Sequence, residues 1–145
     1  MITVENISKA FGDTKIINQY SLTIPDGEFI VITGKSGSGK TTLLNMLGLL
    51  EKVDNGTITI DGKSKFTNQE KTLFYRKEAG YLFQNFALID NESVYDNLKI
   101  ALTYRDVPKK QWREKIEEVL SFVGLKGYTK KKIYQLSGGE QQRIA

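Results

Sequence analysis

The feature that most constrains the fold of this chain is a glycine-rich stretch, GKSGSGKTT, which begins at Gly34 and ends at Thr42. It matches the pattern G-x-x-x-x-G-K-[ST] without a mismatch, and its three glycines allow positive φ angles and close approach to a ligand. Successive N–H groups in such a loop point inward, and the positive end of the following helix lies behind them. The stretch therefore predicts a phosphate-binding loop.

The segments on either side of the loop have the patterns that this prediction requires. Residues 28–33 form a short apolar run, as in a buried parallel strand, and apolar residues recur at helical spacing over residues 43–50. The Lys40 ammonium would reach the β- and γ-phosphates of a nucleotide, and the Thr41 hydroxyl would bind Mg²⁺. The predicted nucleotide-binding residues are Gly34, Lys35, Ser36, Gly37, Ser38, Gly39, Lys40, Thr41 and Thr42.

Composition excludes several other classes of site. With 145 residues, 39% of them hydrophobic, the chain is long enough for one folded domain with a core. It has no cysteine and no histidine, so a disulfide frame, a thiolate metal site and the commonest general base are all excluded. The net charge of +4 favours anionic partners only mildly. The N-terminus has no leader pattern and no apolar run reaches the ~20 residues of a membrane span, so we expect a cytoplasmic protein.

The first part of the chain has the alternation of β-strands. Residues 2–9 and 16–24 predict an antiparallel pair, and residues 57–60 predict another strand between two turn signals. The polar residues 63–71 indicate a surface connection. Residues 80–84 form a second apolar run, which we interpret as a strand ending at a polar side chain.

The second part of the chain is predicted to be helical. Apolar spacing indicates a helix within residues 91–104 and a strongly amphipathic helix over 109–123, with Trp112 as a core anchor rather than a ligand. We therefore expect a β subdomain with the P-loop core over residues 1–84 and a helical subdomain over residues 85–145.

A second motif, LSGGEQQR, occupies residues 136–143. Ser137 and Glu140 have the spacing of a capping box, which could begin a helix without any further function. Gly138 and Gly139 weaken the first turn of such a helix, however, and they would let a phosphate approach its N-terminus.

With both motifs present, the chain resembles the ATP-binding subunits of ABC transporters, and LSGGEQQR is similar to the signature motif of that family. The resemblance implies an α/β fold: a P-loop NTPase core with an antiparallel β subdomain and a helical subdomain. It also implies ATP and Mg²⁺ as cofactors, and a head-to-tail dimer with a second ATP-binding subunit. In that dimer, the partner's signature motif would cap the γ-phosphate through Ser137, Gly138, Gly139 and Glu140.

The resemblance assigns roles to further residues. Phe11 stands where the family has the aromatic side chain that stacks on adenine. Gln84 resembles the glutamine that contacts Mg²⁺ or the attacking water, and with Lys40 it is a candidate catalytic residue. Residues 85–97 would face transmembrane permease subunits, which places the protein peripherally on the inner face of the cell membrane. The local sequence is similar to subunits of peptide, lipoprotein or macrolide exporters.

Part of the family domain has no match in the chain. The strand that ends in a metal-binding Asp and a catalytic Glu is not found, nor is the His loop. The resemblance implies the ATP-binding motor subunit of an exporter, which couples ATP binding and hydrolysis to transport by separate transmembrane subunits. For these 145 residues by themselves we expect a truncated domain with little ATP turnover, and a nucleotide-binding fragment without turnover is one alternative function. An alternative is an ABC-type ATPase acting on DNA or ribosomes, which the pI near 9.2 and the lysines at 130–132 favour. No specific nucleic-acid partner is expected, because such a lysine run is more often a solvated face. The transported substrate is left open.

Overall fold

The computed structural model describes residues 1–145, which divide into two compact units, Met1–Leu73 and Phe74–Ala145. The predicted division, after Gln84, lies further along the chain. Each unit is built around its own buried apolar side chains. No helix combines the length and the apolar character that crossing a lipid bilayer requires.

The first unit contains a three-stranded antiparallel sheet of β1 (Ile2–Phe11), β2 (Thr14–Ile24) and β3 (Asn55–Ile60). The strand order is β2-β1-β3, so β1 is the central strand. The predicted antiparallel pair and the predicted third strand are therefore confirmed. Both strands of the hairpin extend further toward its turn than the alternation of the sequence indicated.

The hairpin ladder shifts register at three places, and at two residues beside these shifts a serine hydroxyl bonds a backbone amide. Asn6 and Gln19 have positive φ angles, and the register between β1 and β2 shifts beside them. The Asn6 amide donates to Ser21 Oγ at 2.9 Å, and the Gln19 amide donates to Ser8 Oγ at 3.0 Å. These serine side chains satisfy two backbone amides where the ladder is interrupted.

A lysine on the central strand ties the sheet to the connection that precedes β3. The buried Lys9 ammonium lies 2.7 Å from a Glu51 carboxylate oxygen and 3.2 Å from an Asp54 carboxylate oxygen. The other Asp54 oxygen accepts a hydrogen bond from the Ala10 amide at 2.8 Å. Asp54 therefore receives both a side-chain and a backbone donor of β1, which fixes the entry into β3.

Helix α1 (Lys40–Leu47) follows the glycine-rich loop, as the spacing of apolar residues predicted. Its inward side chains are buried, as are apolar side chains of β1 and β3. The buried apolar residues of the first unit are Val4, Ile7, Leu43, Met46, Leu47, Ile58 and Ile60.

Two predicted strands are absent, and these predictions were wrong for the chain as folded. Residues 28–33 and 80–84 have irregular backbone, and most of their apolar side chains are exposed, with Phe29 at 89%, Val31 at 65% and Leu82 at 57%. A parallel strand forms only beside a hydrogen-bonded neighbour. The only sheet of the structure consists of β1, β2 and β3, so neither segment has such a neighbour.

The predicted surface connection over residues 63–71 contains the start of helix α2 (Asn68–Lys77). A capping arrangement begins it: Glu70 accepts hydrogen bonds from the Thr67 amide and hydroxyl at 2.8 and 2.9 Å, and the Thr67 hydroxyl accepts from the Glu70 amide at 3.3 Å. The high polarity of this stretch concealed the Thr-x-x-Glu signal.

The second unit is helical, as expected. It contains α3 (Val94–Leu102), α4 (Lys109–Phe122) and α5 (Gly138–Ile144), with two short 3₁₀ turns between α4 and α5. Trp112 is half-buried and its indole N–H donates to the Val107 carbonyl at 2.9 Å, which fits a structural anchor. The apolar core consists of Val94, Ile116, Leu120, Leu125, Ile133, Leu136 and Ile144.

The close approach of β3 to β1 at Gly56 predicts a large loss of stability when a side chain is introduced there. Gly56 has φ +83°, and a Cβ atom there would lie 2.4 Å from the carbonyl oxygens of both Glu5 and Asn6. Gly62 has a similar φ of +79° but open space around it. In urea denaturation, we expect Gly62→Ala to lower the free energy of unfolding by about 1–2 kcal/mol through its backbone conformation alone. Gly56→Ala should cost at least a further ~1–3 kcal/mol through the clash. Equal losses would contradict this packing.

Candidate functional site

The glycine-rich loop has the backbone that its sequence predicted. Gly34 has φ +152°, and a Cβ atom there would lie 2.8 Å from Ser38 Oγ, so the loop closes on itself at a position that only glycine fits. Gly39 has φ +87° and caps α1 in a left-handed conformation. A Cβ atom at Gly39 would lie 2.7 Å from Ile16 Cγ2. This contact packs the end of the loop against β2.

The Lys40 side chain folds back across the loop. Its ammonium donates to the carbonyl of Gly34 at 2.9 Å and to that of Lys35 at 2.8 Å, while the Ser38 amide donates to the Lys35 carbonyl at 3.2 Å. Both acceptors of Lys40 are neutral, so its positive charge is not compensated by a carboxylate. The ammonium is therefore held at the loop as a cation available to an anion.

The N-terminus of α1 faces the same loop without a side-chain cap. Its first-turn amides therefore point toward the loop, as an anion-binding helix N-terminus requires. Thr41 is exposed in this turn, so its hydroxyl is accessible to a metal ion, and Thr42 is half-buried. The loop, the Lys40 cation and the open helix N-terminus together fit a nucleotide phosphate with Mg²⁺.

A cavity of about 280 Å³ adjoins the loop on the side of β2. It combines apolar side chains of the hairpin with polar groups of the loop, and no carboxylate lines it. Its lining residues are Ile16, Ile17, Asn18, Tyr20, Ile32, Thr33, Ser38, Gly39, Lys40 and Leu43.

Phe11 lies at the end of β1, beside the hairpin turn. Its ring is 52% exposed, and the Lys9 ammonium lies 5.2 Å from the ring centroid. The ring is thus fixed at the hairpin end while keeping a free face. That arrangement is compatible with one-sided stacking on a flat ligand.

The second unit carries the other predicted site residues. Gln84 is exposed in irregular backbone, and Phe86 and Ala87 just beyond it have φ angles of +61° and +51°. L-amino acids rarely adopt this left-handed conformation, so it strains this short segment. The structure describes each unit by itself, and the placement of Gln84 relative to the P-loop stays a prediction.

Ser137 caps α5 through the predicted capping box. The Ser137 amide and hydroxyl both donate to one Glu140 carboxylate oxygen at 2.8 Å, and the Ser137 hydroxyl accepts from the Glu140 amide at 3.4 Å. Gly138 and Gly139 form the exposed first turn, and nothing lies within 4 Å of where a Cβ of Gly138 would be. The turn is therefore open to close approach from outside.

Three residues that hold segments of the second unit together gave no clear signal in the sequence. The Tyr128 hydroxyl donates to the second Glu140 carboxylate oxygen at 2.9 Å. The Gln141 side-chain amide donates to the carbonyls of Ile133 and Leu136 at 3.2 and 3.1 Å. Asn97, buried on α3, bonds both backbone groups of Ile89. Each of them bonds a group remote in sequence, and for this reason local patterns did not reveal them.

Comparison with known proteins identifies relatives along the whole chain. The model of the ABC transporter family matches residues 17–145. The chain is 40% identical to the methionine import ATP-binding protein of Clostridium tetani, covering 100% of the chain and 46% of that protein. It is 39% identical to the spermidine/putrescine import ATP-binding protein of Marinobacter nauticus, covering 38% of that protein.

A relative of more similar length is the lipoprotein-releasing system ATP-binding protein of Bacteroides thetaiotaomicron, which is 38% identical; the match covers 100% of the chain and 67% of that protein. Among solved structures, the ATP-binding cassette MJ0796, in a dimeric post-hydrolysis state bound to ADP and Pi, is similar with a TM-score of 0.87 and 32% identity. That match covers 99% of the chain and 66% of the cassette. The chain thus spans between about two fifths and two thirds of the length of these relatives.

The hydrogen bonds to Glu140 predict a specific pH dependence. The Ser137 amide and hydroxyl, with the Tyr128 hydroxyl, lower the pKa of Glu140 to about 2 from its ordinary value of 4.5. A carboxyl whose pKa is lower in the folded state than in the unfolded state stabilises the fold at pH values above its unfolded-state pKa. This contribution is lost as the pH falls from about 4.5 to about 2. We expect the Glu140 carboxyl resonance to titrate near pH 2 by NMR, and nearer its ordinary value in Tyr128→Phe. Titration near pH 4.5 in the parent chain would contradict this geometry.

Proposed function

Because the chain belongs to the ABC transporter family, we propose that it acts as the ATP-binding part of a transporter. The observation that carries this proposal is the Lys40 ammonium, held at 2.9 and 2.8 Å over the loop carbonyls beside an uncapped helix N-terminus. A cation and a row of backbone amides at one loop are the groups that nucleotide phosphates need. In this function, ATP binding and hydrolysis would drive transport through separate membrane-spanning permease subunits.

Each part of the P-loop would have a separate task. The backbone amides of residues 34–39 would surround the phosphates, and Lys40 would pair with the β- and γ-phosphates as a point charge. Mg²⁺, when bound, would neutralise phosphate charge, and the Thr41 hydroxyl would be its ligand from this loop. Phe11, with its exposed ring, would stack on adenine. Gln84 would contact the metal or the attacking water, a role that rests on the family resemblance.

The signature residues would act on a second copy of the domain. We propose a head-to-tail dimer in which Ser137 and Gly139 cap the nucleotide bound at the partner's P-loop. Two observations support it: the open glycine turn at the start of α5, and the dimeric state of the similar cassette MJ0796. In the present arrangement the Ser137 hydroxyl donates to Glu140. It would have to turn away from that carboxylate to donate to a phosphate.

Coupling to a permease would place the protein on the cytoplasmic face of a membrane. Residues 85–97 would face the permease, and Asn97 supports this surface by bonding the Ile89 backbone on both sides. Export of the peptide, lipoprotein or macrolide type is a further proposal. The lipoprotein-releasing relatives favour it at 38% and 39% identity, whereas the methionine and polyamine import relatives argue equally for uptake.

Nucleotide binding is tested directly at Lys40. We expect Lys40→Ala to weaken ATP binding by about 1.5–3 kcal/mol, or roughly ten- to a hundredfold, because a charge-assisted phosphate contact is lost. Isothermal titration calorimetry measures this change, with Lys52→Ala as the control that removes an exposed lysine outside the loop. Phe11→Ala should lower affinity less, by ~1–3 kcal/mol at most. Parent-like affinity in Lys40→Ala would refute the assignment.

We expect slow turnover when residues 1–145 are assayed by themselves. No residue matches the carboxylate that the family resemblance assigns to polarising the attacking water, and a positioned base contributes about 10²–10⁴ in rate. We therefore expect phosphate release at least about a hundredfold slower than from the same chain fused to the remaining segment of the Bacteroides lipoprotein-releasing relative. The Lys40→Ala form of the fusion is the background control. The expectation is wrong if the unfused chain releases phosphate as fast as the fusion and loses that activity on Lys40→Ala. The chain would then supply the general base itself.

A further inference from the structure

The second unit contains an open cleft of about 510 Å³ that takes no part in the nucleotide site. Three of its side chains are basic, three carry hydroxyl groups, and no carboxylate lines it. Its lining residues are Ser93, Tyr95, Arg113, Thr129, Lys130 and Lys132. The volume is within the range of sites that enclose a small ligand or a few side chains of a partner.

The cations of the cleft lack counter-charges. Arg113, on α4, and Lys130 have no ion-paired or hydrogen-bonded side-chain partner in the chain. The half-buried Lys132 donates to the Asn91 carbonyl at 3.1 Å, a neutral acceptor that leaves its charge uncompensated. Like charges gathered around one cleft repel one another, so an anion bound between them would relieve that repulsion.

The neighbouring carboxylates do not supply this anion. Asp96 is paired with Lys99 at 2.5 Å and directed to the cap of α3. Glu117 accepts hydrogen bonds from the Thr129 hydroxyl at 3.0 Å and from the Gly127 amide at 3.2 Å. Both acids serve the local fold of the unit. Neither carboxylate lines the cleft, so we infer that an acidic group bound there would come from outside the chain.

The backbone around the cleft is fixed in place by paired hydrogen bonds. Ser93 and Lys132 form an antiparallel bridge, in which the Val94 amide donates to the Lys131 carbonyl at 2.9 Å and the Ile133 amide donates to the Glu92 carbonyl at 3.2 Å. Two walls of the cleft are thus held at a set distance before any ligand arrives. Such pre-organisation lowers the entropy cost of binding.

We propose that this basic cleft binds a carboxylate-bearing segment of a partner protein. A guanidinium at Arg113 can take a carboxylate with two parallel hydrogen bonds, and Lys130 adds a point charge beside it. The choice of a protein as partner rests on the proposed function, because Ser93 and Tyr95 lie within the segment expected to face the permease. The Tyr95 hydroxyl makes no hydrogen bond within the chain and can bond a carboxylate oxygen of that segment.

A short, glutamate-rich helical peptide tests the proposal on the full chain, with the same peptide carrying glutamine in place of glutamate as its control. We expect the glutamate peptide to bind by fluorescence anisotropy and the glutamine peptide not to bind. Arg113→Gln and Lys130→Gln should each weaken binding about tenfold, and binding should fall as salt rises. Lys115→Gln removes a charge from an exposed residue of α4 that does not line the cleft, so it should bind like the parent.

Other results would overturn the proposal in distinguishable ways. Equal binding of the two peptides, or equal losses in Lys115→Gln and Arg113→Gln, would remove the cleft as the site. If inorganic phosphate competes with the peptide at similar concentration, the cleft is a small-anion site. If the chain binds vesicles containing phosphatidylserine but not the glutamate peptide, and Arg113→Gln abolishes the vesicle binding, the partner is a membrane surface. ATP affinity, measured on the same variants, should be unchanged, so loss of peptide binding alone leaves the nucleotide assignment standing.

Discussion

The close contact between Gly39 and Ile16 is the constraint on which the arrangement of the first unit depends. It brings the end of the phosphate-binding loop against the second strand of the hairpin, at a distance that leaves no room for a side chain at Gly39. The same contact sets where α1 begins, and with it the position from which Lys40 reaches back to the loop carbonyls. One left-handed glycine therefore links the hairpin that carries Phe11 to the loop that would hold the phosphates.

The second unit is organised by hydrogen bonds between segments far apart in the chain. The bridge between Ser93 and Lys132 joins the start of α3 to the approach of the signature motif. Tyr128 then holds Glu140, and Glu140 holds Ser137, so the cap of α5 is set by a short chain of side chains. The signature turn and the basic cleft are therefore held by the same set of hydrogen bonds. They expose different groups to a ligand: open glycine backbone in one case and uncompensated cations in the other.

The two motifs of the sequence differ in how ready they are for a phosphate. At the P-loop, the Lys40 ammonium bonds only neutral carbonyls, which a phosphate can replace at little electrostatic cost. At the signature, the Ser137 hydroxyl is engaged with an ionised carboxylate. A hydrogen bond to a charged acceptor is stronger than one to a neutral acceptor. The Ser137 hydroxyl would therefore have to leave Glu140 before it could bond a nucleotide phosphate. This asymmetry is consistent with the proposed dimer, in which the nucleotide would reach the signature motif on the other subunit.

The sequence by itself determined the features that depend on neighbours a few residues apart. The glycine loop, the Ser137–Glu140 capping box and the amphipathic helix α4 were all predictable, because turn conformations, caps and helical faces arise from local spacing. The tertiary structure alone decided the state of residues 28–33 and 80–84: an apolar run forms a strand only if another segment hydrogen-bonds beside it, and none does here. It alone also assembled the cleft around Arg113 and Lys130, since these cations belong to different elements and meet only when α4 packs on the turn that follows it.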